Sequence, residues 1–215
     1  DRSSAVMSVV RKFVTASKDI MFEGNGYSRE WEAEAAERGL RPIKNVIEAY
    51  EVYHEQQTLD LFAGLGVLAA NEVEARFEIL NETYVKKLQI EARIIGDMCL
   101  NHVIPAAVRY QNILIENIKG IKEIFGNDYL QYCSSEIDTL KKISTYINNV
   151  SADVEALVEA RKKANRIESI ALRAKAYSHD VKDMMDKVRV SADNLEMLID
   201  DEMWPLPKYR ELLFF

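Results

Sequence analysis

A chain of 215 residues can bury a substantial core, and with only 8 Gly, 4 Pro, 29% charged residues and no alternating runs of strand-forming residues it excludes a strand-built fold and points to an all-α one. The formal net charge of −7 is spread along the chain without a Lys/Arg stripe, which argues against a nucleic-acid partner, since such binding needs local positive charge to release counterions. The longest apolar run, residues 61–70, is far short of the roughly 20 residues that span a bilayer, so no membrane partner is expected.

The start, Asp1-Arg2-Ser3-Ser4, lacks the basic and apolar blocks of a signal peptide and leads at once into a helical pattern (Val6, Val9, Val10, Phe13), as expected of a piece of a longer polypeptide. Cys99 and Cys133 have no metal-ligand spacing and are too few for a disulfide framework. They read as buried free thiols in a reducing, cytoplasmic compartment, with a chance pairing of the two as the alternative.

The first helix is expected over residues 4–20. In Phe22-Glu23-Gly24-Asn25-Gly26-Tyr27, the two glycines should supply the positive φ angles of a tight turn. Ser28 caps a second helix that begins Arg29-Glu30-Trp31 and stops at Gly39, with Leu40 and Pro42 following. Asn45 with Glu48 forms a capping box for a helix carrying Val46, Ile47 and Tyr50. Gly64 and Gly66 mark the next turn, and Asn71 with Glu74 repeats the capping pattern ahead of a long helix through Phe77, Leu88 and Cys99. Pro105 should bend that helix, which resumes until Gly126-Asn127-Asp128.

Two heptad seams follow. One runs through Leu140, Ile143, Ile147, Val150, Val154 and Leu157; the other through Ala174, Tyr177, Val181, Met184, Val188, Leu195 and Leu198. A turn near Asn165-Arg166 should fold them into an antiparallel hairpin, and the stripes read as core. The chain closes on Trp204-Pro205-Leu206-Pro207, whose prolines favour an extended tail. Trp204, Leu206, Tyr209, Leu212, Leu213 and Phe214 would be sticky if left in water, so they are the candidate interface residues. The expectation is an all-α, elongated helical bundle with a long antiparallel hairpin and an extended Trp-Pro-x-Pro tail. It is read as one helical domain: a leading helix (1–21), a helical body (22–127), the hairpin (128–202) and a docking tail (203–215).

No complete chemical site emerges. Glu51-Val-Tyr-His54 has the Glu-x-x-His spacing of di-iron bundles, but the positions three before His102 and His179 hold Cys99 and Ala176, so the ligand count fails and a surface or capping histidine is the simpler reading. No histidine belongs to a recognisable triad, and Gly24-Asn25-Gly26 is too short for a phosphate loop. Glu91, Asp97 and His102 lie near the apolar face of the long helix and suit helix-to-helix hydrogen bonds. From the residues alone this is a binding or assembly module with no catalytic, cofactor-binding or metal-ligating residue assigned.

Several segments in order resemble the C-terminal region of type III glutamine synthetases. They are Phe22-Glu23-Gly24-Asn25-Gly26-Tyr27-Ser28-Arg29-Glu30-Trp31 with Ala36-Glu37-Arg38-Gly39-Leu40, and Ala75-Arg76-Phe77-Glu78-Ile79-Leu80 with Tyr84-Val85-Lys86 and Ile90-Glu91-Ala92. Val103-Ile104-Pro105-Ala106 and the ending Trp204-Pro205-Leu206-Pro207, with Tyr209 and Leu212-Leu213-Phe214, complete the set. The resemblance implies a parent enzyme that makes glutamine from glutamate, ammonia and ATP, using Mg or Mn held by acidic residues and a His on a β-barrel. This chain shows no such barrel. Glu32-Ala-Glu34 and Glu72-Val-Glu74 have a metal-site spacing but sit in helical patterns. Residues 1–20 would correspond to the helix leaving the catalytic core. The implied partners are the chain's own barrel domain and neighbouring subunits of a ring-built homo-oligomer, with the fragment itself inactive and ATP and metal bound elsewhere in the parent. A stand-alone helical scaffold or sensor that binds a partner helix is the alternative, and a metal-dependent bundle enzyme a third reading.

Overall fold

The computed structural model describes residues 1–41, 43–208 and 210–213, and among these it is helical with no strand. The chain divides into two compact units, Asp1–Ala49 and Tyr50–Phe215.

In the first unit, α1 (Arg2–Ala16) starts on Asp1, whose side chain accepts from the Ser3 amide, and a 3-10 turn (Lys18–Ile20) follows. Helix α2 (Arg29–Glu37) begins where Ser28 Oγ accepts from the Trp31 amide at 3.2 Å. It ends in the two bonds of a Schellman motif, Leu40 N–H to Ala35 O at 2.8 Å and Gly39 N–H to Ala36 O at 3.1 Å, with Gly39 at φ 75°. Pro42, expected to reinforce this stop, lies outside the described residues.

The Gly24–Gly26 turn works differently from expectation, since neither glycine has positive φ. Asn25 makes the turn instead, its Oδ1 accepting from the Tyr27 amide at 3.0 Å. Gly24 is small for another reason: a Cβ there would sit 2.6 Å from the Phe22 ring, which packs on Trp31 with centroids 4.4 Å apart. Arg38 ties the loop to α2. Its Nη1 donates to the Met21 and Asp19 carbonyls at 2.6 and 3.2 Å, while Nη2 pairs with Glu34. At the start of α3 (Val46–Glu51) Asn45 Oδ1 accepts from the Glu48 amide at 2.9 Å as expected, while the Glu48 carboxylate accepts from the Asn45 side-chain amide at 2.6 Å and not from its backbone N–H.

The second unit carries the core. After a 3-10 turn (Val52–His54), α4 (Gln56–Gly64) ends in another Schellman motif with Gly66 at φ 63°. Helix α5 (Ala70–Met98) starts earlier than the Asn71–Glu74 pattern suggested. Its N-cap is Ala69, which offers no side-chain acceptor, and only the Glu72 half of a capping box forms, its Oε2 accepting from the Ala69 amide at 2.7 Å.

Pro105 leaves its mark as a π turn (Cys99–Val103) leading into α6 (Ile104–Phe125). Proline cannot donate to the carbonyl one turn back and its ring crowds that carbonyl, so a wider turn relieves the conflict. Gly126, at φ 56°, then ends α6, and a 3-10 turn (Gly126–Tyr129) leads into α7 (Leu130–Asn165). The hairpin's second arm is α8 (Ile170–Ala176), a further π turn (Tyr177–Val181) and α9 (Lys182–Leu198). Sequence periodicity did not foresee that second π turn, because no proline marks it.

The hairpin forms as expected. Ile143, Val150, Val154 and Leu157 of α7 are buried together with Ala174, Tyr177, Val181, Val188 and Leu195 of the second arm, and α7 packs most extensively on α9. The Tyr177 hydroxyl donates to Asn165 Oδ1 at 2.7 Å and pins the turn end. Helices α5 and α6 pack on α7; a Cβ on Gly96 would stand 3.5 Å from Val154 Cγ1.

Burial of this seam predicts that Ile143→Ala, which opens a cavity at a fully enclosed position, lowers unfolding stability by about 2–5 kcal/mol. Lys141→Ala, two residues away in an exposed ion pair with Asp138, should cost under about 1 kcal/mol. Chemical denaturation of both variants checks the contrast.

Candidate docking site at the C-terminal tail

The tail is built on a sharp exit from α9. Ile199 turns extended at φ −83°, ψ 143°. Asp200 then organises the bend: its carbonyl accepts from the Met203 and Trp204 amides at 3.1 and 3.0 Å, and its Oδ1 from the Glu202 amide at 2.9 Å. This turn delivers Trp204 into the second unit, where it is buried.

Lys208 locks the returning segment. Its ammonium, almost withdrawn from solvent, donates to the Ile199 carbonyl at 2.8 Å and pairs with Asp201 at 2.7 Å. Arg210 pairs with the same carboxylate. A short 3-10 turn (Glu211–Leu213) closes the described chain, with Glu211 N–H donating to Lys208 O at 2.9 Å. A buried ammonium is tolerable only with such partners.

Of the six candidate interface residues, Trp204 and Leu206 turn toward their own unit. Together with Pro207 and Leu212 they line an apolar cavity of ≈ 370 Å³ against Ile95 and Met98 of α5 and Cys99 and Val103 of the π turn. Leu212 remains 49% exposed and Leu213 77%. Tyr209 and Phe214 lie outside the described residues. The Lys208 clasp was missed from sequence, where a lysine directly after the second proline of an extended tail reads as solvent-facing; the available hint was the Asp200-Asp201 pair preceding it.

The other candidates resolve into structural roles. His54 Nε2 meets Glu74 Oε2 at 3.1 Å and its ring packs on Phe77, centroids 3.9 Å apart, while Glu51 pairs with Lys175 of α8. The Glu-x-x-His pair thus reaches two different helices of the second unit, His54 to α5 and Glu51 to α8, and does not converge on one site. Glu32 pairs with Lys44 at 2.6 Å. Glu91, Asp97 and His102 are exposed rather than turned toward a neighbouring helix, and Asp97 accepts from Asn101 one turn on at 2.6 Å. Among the described residues no group of three or more His, Cys, Asp or Glu is placed to hold a metal ion. The side chains present therefore do not fit the Mg or Mn implied for the parent. No helix of the described residues is long and apolar enough to cross a membrane.

Both thiols are free and buried, and burial pushes Cys99 up to about 11. At pH 8 that leaves about a hundredth of the thiolate an ordinary cysteine would carry. Cys99 should therefore alkylate at least about 100-fold more slowly in the folded chain than in denaturant, as peptide mass spectrometry can follow. A second prediction tests the clasp. Lys208→Ala removes two charge-assisted hydrogen bonds and should cost about 2 kcal/mol by denaturation.

The family model described as "Glutamine synthetase C-terminal domain" matches residues 5–122. The chain is 41% identical over 214 residues to a glutamine synthetase of Bacteroides fragilis (strain YCH46), covering 99% of this chain and 29% of that protein. It is 31% identical over 209 residues to a glutamine synthetase of Butyrivibrio fibrisolvens, covering 97% of this chain and again 29% of the relative. A type-3 glutamine synthetase of Dictyostelium discoideum is 28% identical over 219 residues, covering 99% of the chain and 29% of its own length. The chain thus spans 29% of the length of each of these curated relatives.

Proposed function

Because this chain belongs to the glutamine synthetase C-terminal domain family, we propose that it is the C-terminal helical module of a type III glutamine synthetase whose whole polypeptide makes glutamine from glutamate, ammonia and ATP. The observation that carries this reading is the near-complete match of the chain to under a third of three proteins named glutamine synthetase, one of them type-3. In this reading ATP and metal bind in the rest of the polypeptide, in the cytoplasm, and the 215-residue chain alone is inactive.

The module's own task is structural: to brace contacts between subunits of a homo-oligomer. Supporting this, Trp204 and Lys208 anchor the tail on its own unit, while Leu212 is half-exposed and Leu213 stays in water. A large apolar side chain such as Leu213 on an anchored strip costs solvation unless another surface covers it.

Assaying glutamine formation by the full-length protein beside the 215-residue chain tests the first part, with an active parent and a silent chain expected. A well-folded parent that is inactive across metals and pH would remove the assignment. For assembly, cutting after Glu202 would also strip Trp204 and Lys208 from their own unit, so substitution of the exposed leucine is the cleaner probe. Full-length Leu213→Glu should lower the assembly mass in light scattering with helicity retained. An unchanged mass would refute the role of the tail in assembly.

A further inference from the structure

The first unit cannot cover its own apolar surface. Among its described residues only Ala35 and Ile47 are buried, whereas a stable small domain needs a core of many such side chains. Its longest helix, α1, buries no residue at all. Val6, Met7, Val9, Val10, Phe13 and Val14 are each about half exposed or more, with Phe13 at 67%.

These six positions are not scattered. At 100° per residue they sweep roughly 160° of the α1 circumference, wider than the ~100° stripe with which an ordinary surface helix meets a single core. Arg11, Lys12 and Thr15 occupy the opposite side. Tyr27, at the tip of the Asn25 turn, is 99% exposed in the same unit. Leaving six such side chains in water forfeits the burial that makes a 15-residue helix stable, since isolated helices of that length are marginal.

The identity of the cover follows from the lengths. The matching family is a C-terminal domain, and the chain spans 29% of its relatives, so the greater part of such a polypeptide lies ahead of α1. The segment joined directly to α1 meets it at a high effective concentration, which a second copy must match by association. We propose that the apolar face of α1 is the seam on which this module packs against the preceding portion of its own polypeptide. The inference rests on the reading of the chain as a C-terminal module.

The test uses the full-length protein with Phe13→p-benzoylphenylalanine, irradiated and run under denaturing conditions, together with hydrogen exchange of residues 2–16 in the unmodified protein. The seam predicts a cross-linked product of single-chain mass whose peptides map ahead of Asp1, and exchange at least ~100-fold slower than for an unstructured chain. Val9→Glu should abolish that protection and Lys12→Glu should leave it intact. A product of two-chain mass assigns the face to a second copy and overturns the proposal. So does a cross-link into residues 50–215 of the same chain, or fast exchange of the helix. Glutamine synthesis by the same preparation is read separately: an inactive protein with the single-chain cross-link would sink the proposed activity and leave the seam standing.

Discussion

Ile143, Val150, Val154 and Leu157 occupy one edge of α7, and each is withdrawn from water only because the returning arm lays Tyr177, Val181, Val188 and Leu195 against them. Burial of side chains of this size contributes about 1.5–3 kcal/mol apiece. Neither arm could retain its helix without the other, since a single amphipathic helix has no place to put its stripe. The rest of the second unit is arranged around that pair. Helices α5 and α6 close over α7, with Gly96 allowing near approach to Val154, and the end of α9 supplies the platform on which the tail turns.

The two π turns show how differently one irregularity can arise. The first precedes Pro105, whose missing donor and ring make a regular helix impossible there. The second, at Tyr177, Ser178 and Val181, has no such local cause. Its three named residues are all buried, so the widened turn is held by packing from α5, α7 and α9. Burial also raises the Tyr177 hydroxyl above its ordinary range, against the lowering pull of Arg161 and the Asn165 hydrogen bond.

The first unit works on another principle. It has almost no core and is organised by polar ties: the Ser28 cap, the Asn25 turn and the Arg38 guanidinium on the carbonyls of Asp19 and Met21. A cation is well placed there, where a short helical turn presents its carbonyl end. The Phe22–Trp31 contact, which leaves no room for a side chain at Gly24, is the main apolar feature of this arrangement. The family blocks in this stretch therefore build a fixed loop and do not bring chemical groups together.

Local patterns carried most of the fold. Helical class, the caps at Ser28 and Asn45, the stops at Gly39, Gly66 and Gly126 and the hairpin seam could all be read along the chain, because each depends on residues within one or two turns. Resemblance added the family, which no periodicity contains. The tertiary structure decided what depends on distant partners: that α5 starts at a bare Ala69, that Gly24 makes room for a ring and does not supply a positive φ, and that Glu91, Asp97 and His102 face solvent. It also decided which tail residues fold inward. Sequence marks Trp204, Leu206, Leu212 and Leu213 alike as apolar, but only the bend at Asp200 and the Lys208 clasp determine that Trp204 is buried while Leu213 stands in water. Direction in space is set by contacts between segments, and an apolar residue in an irregular tail has no periodicity from which to read it.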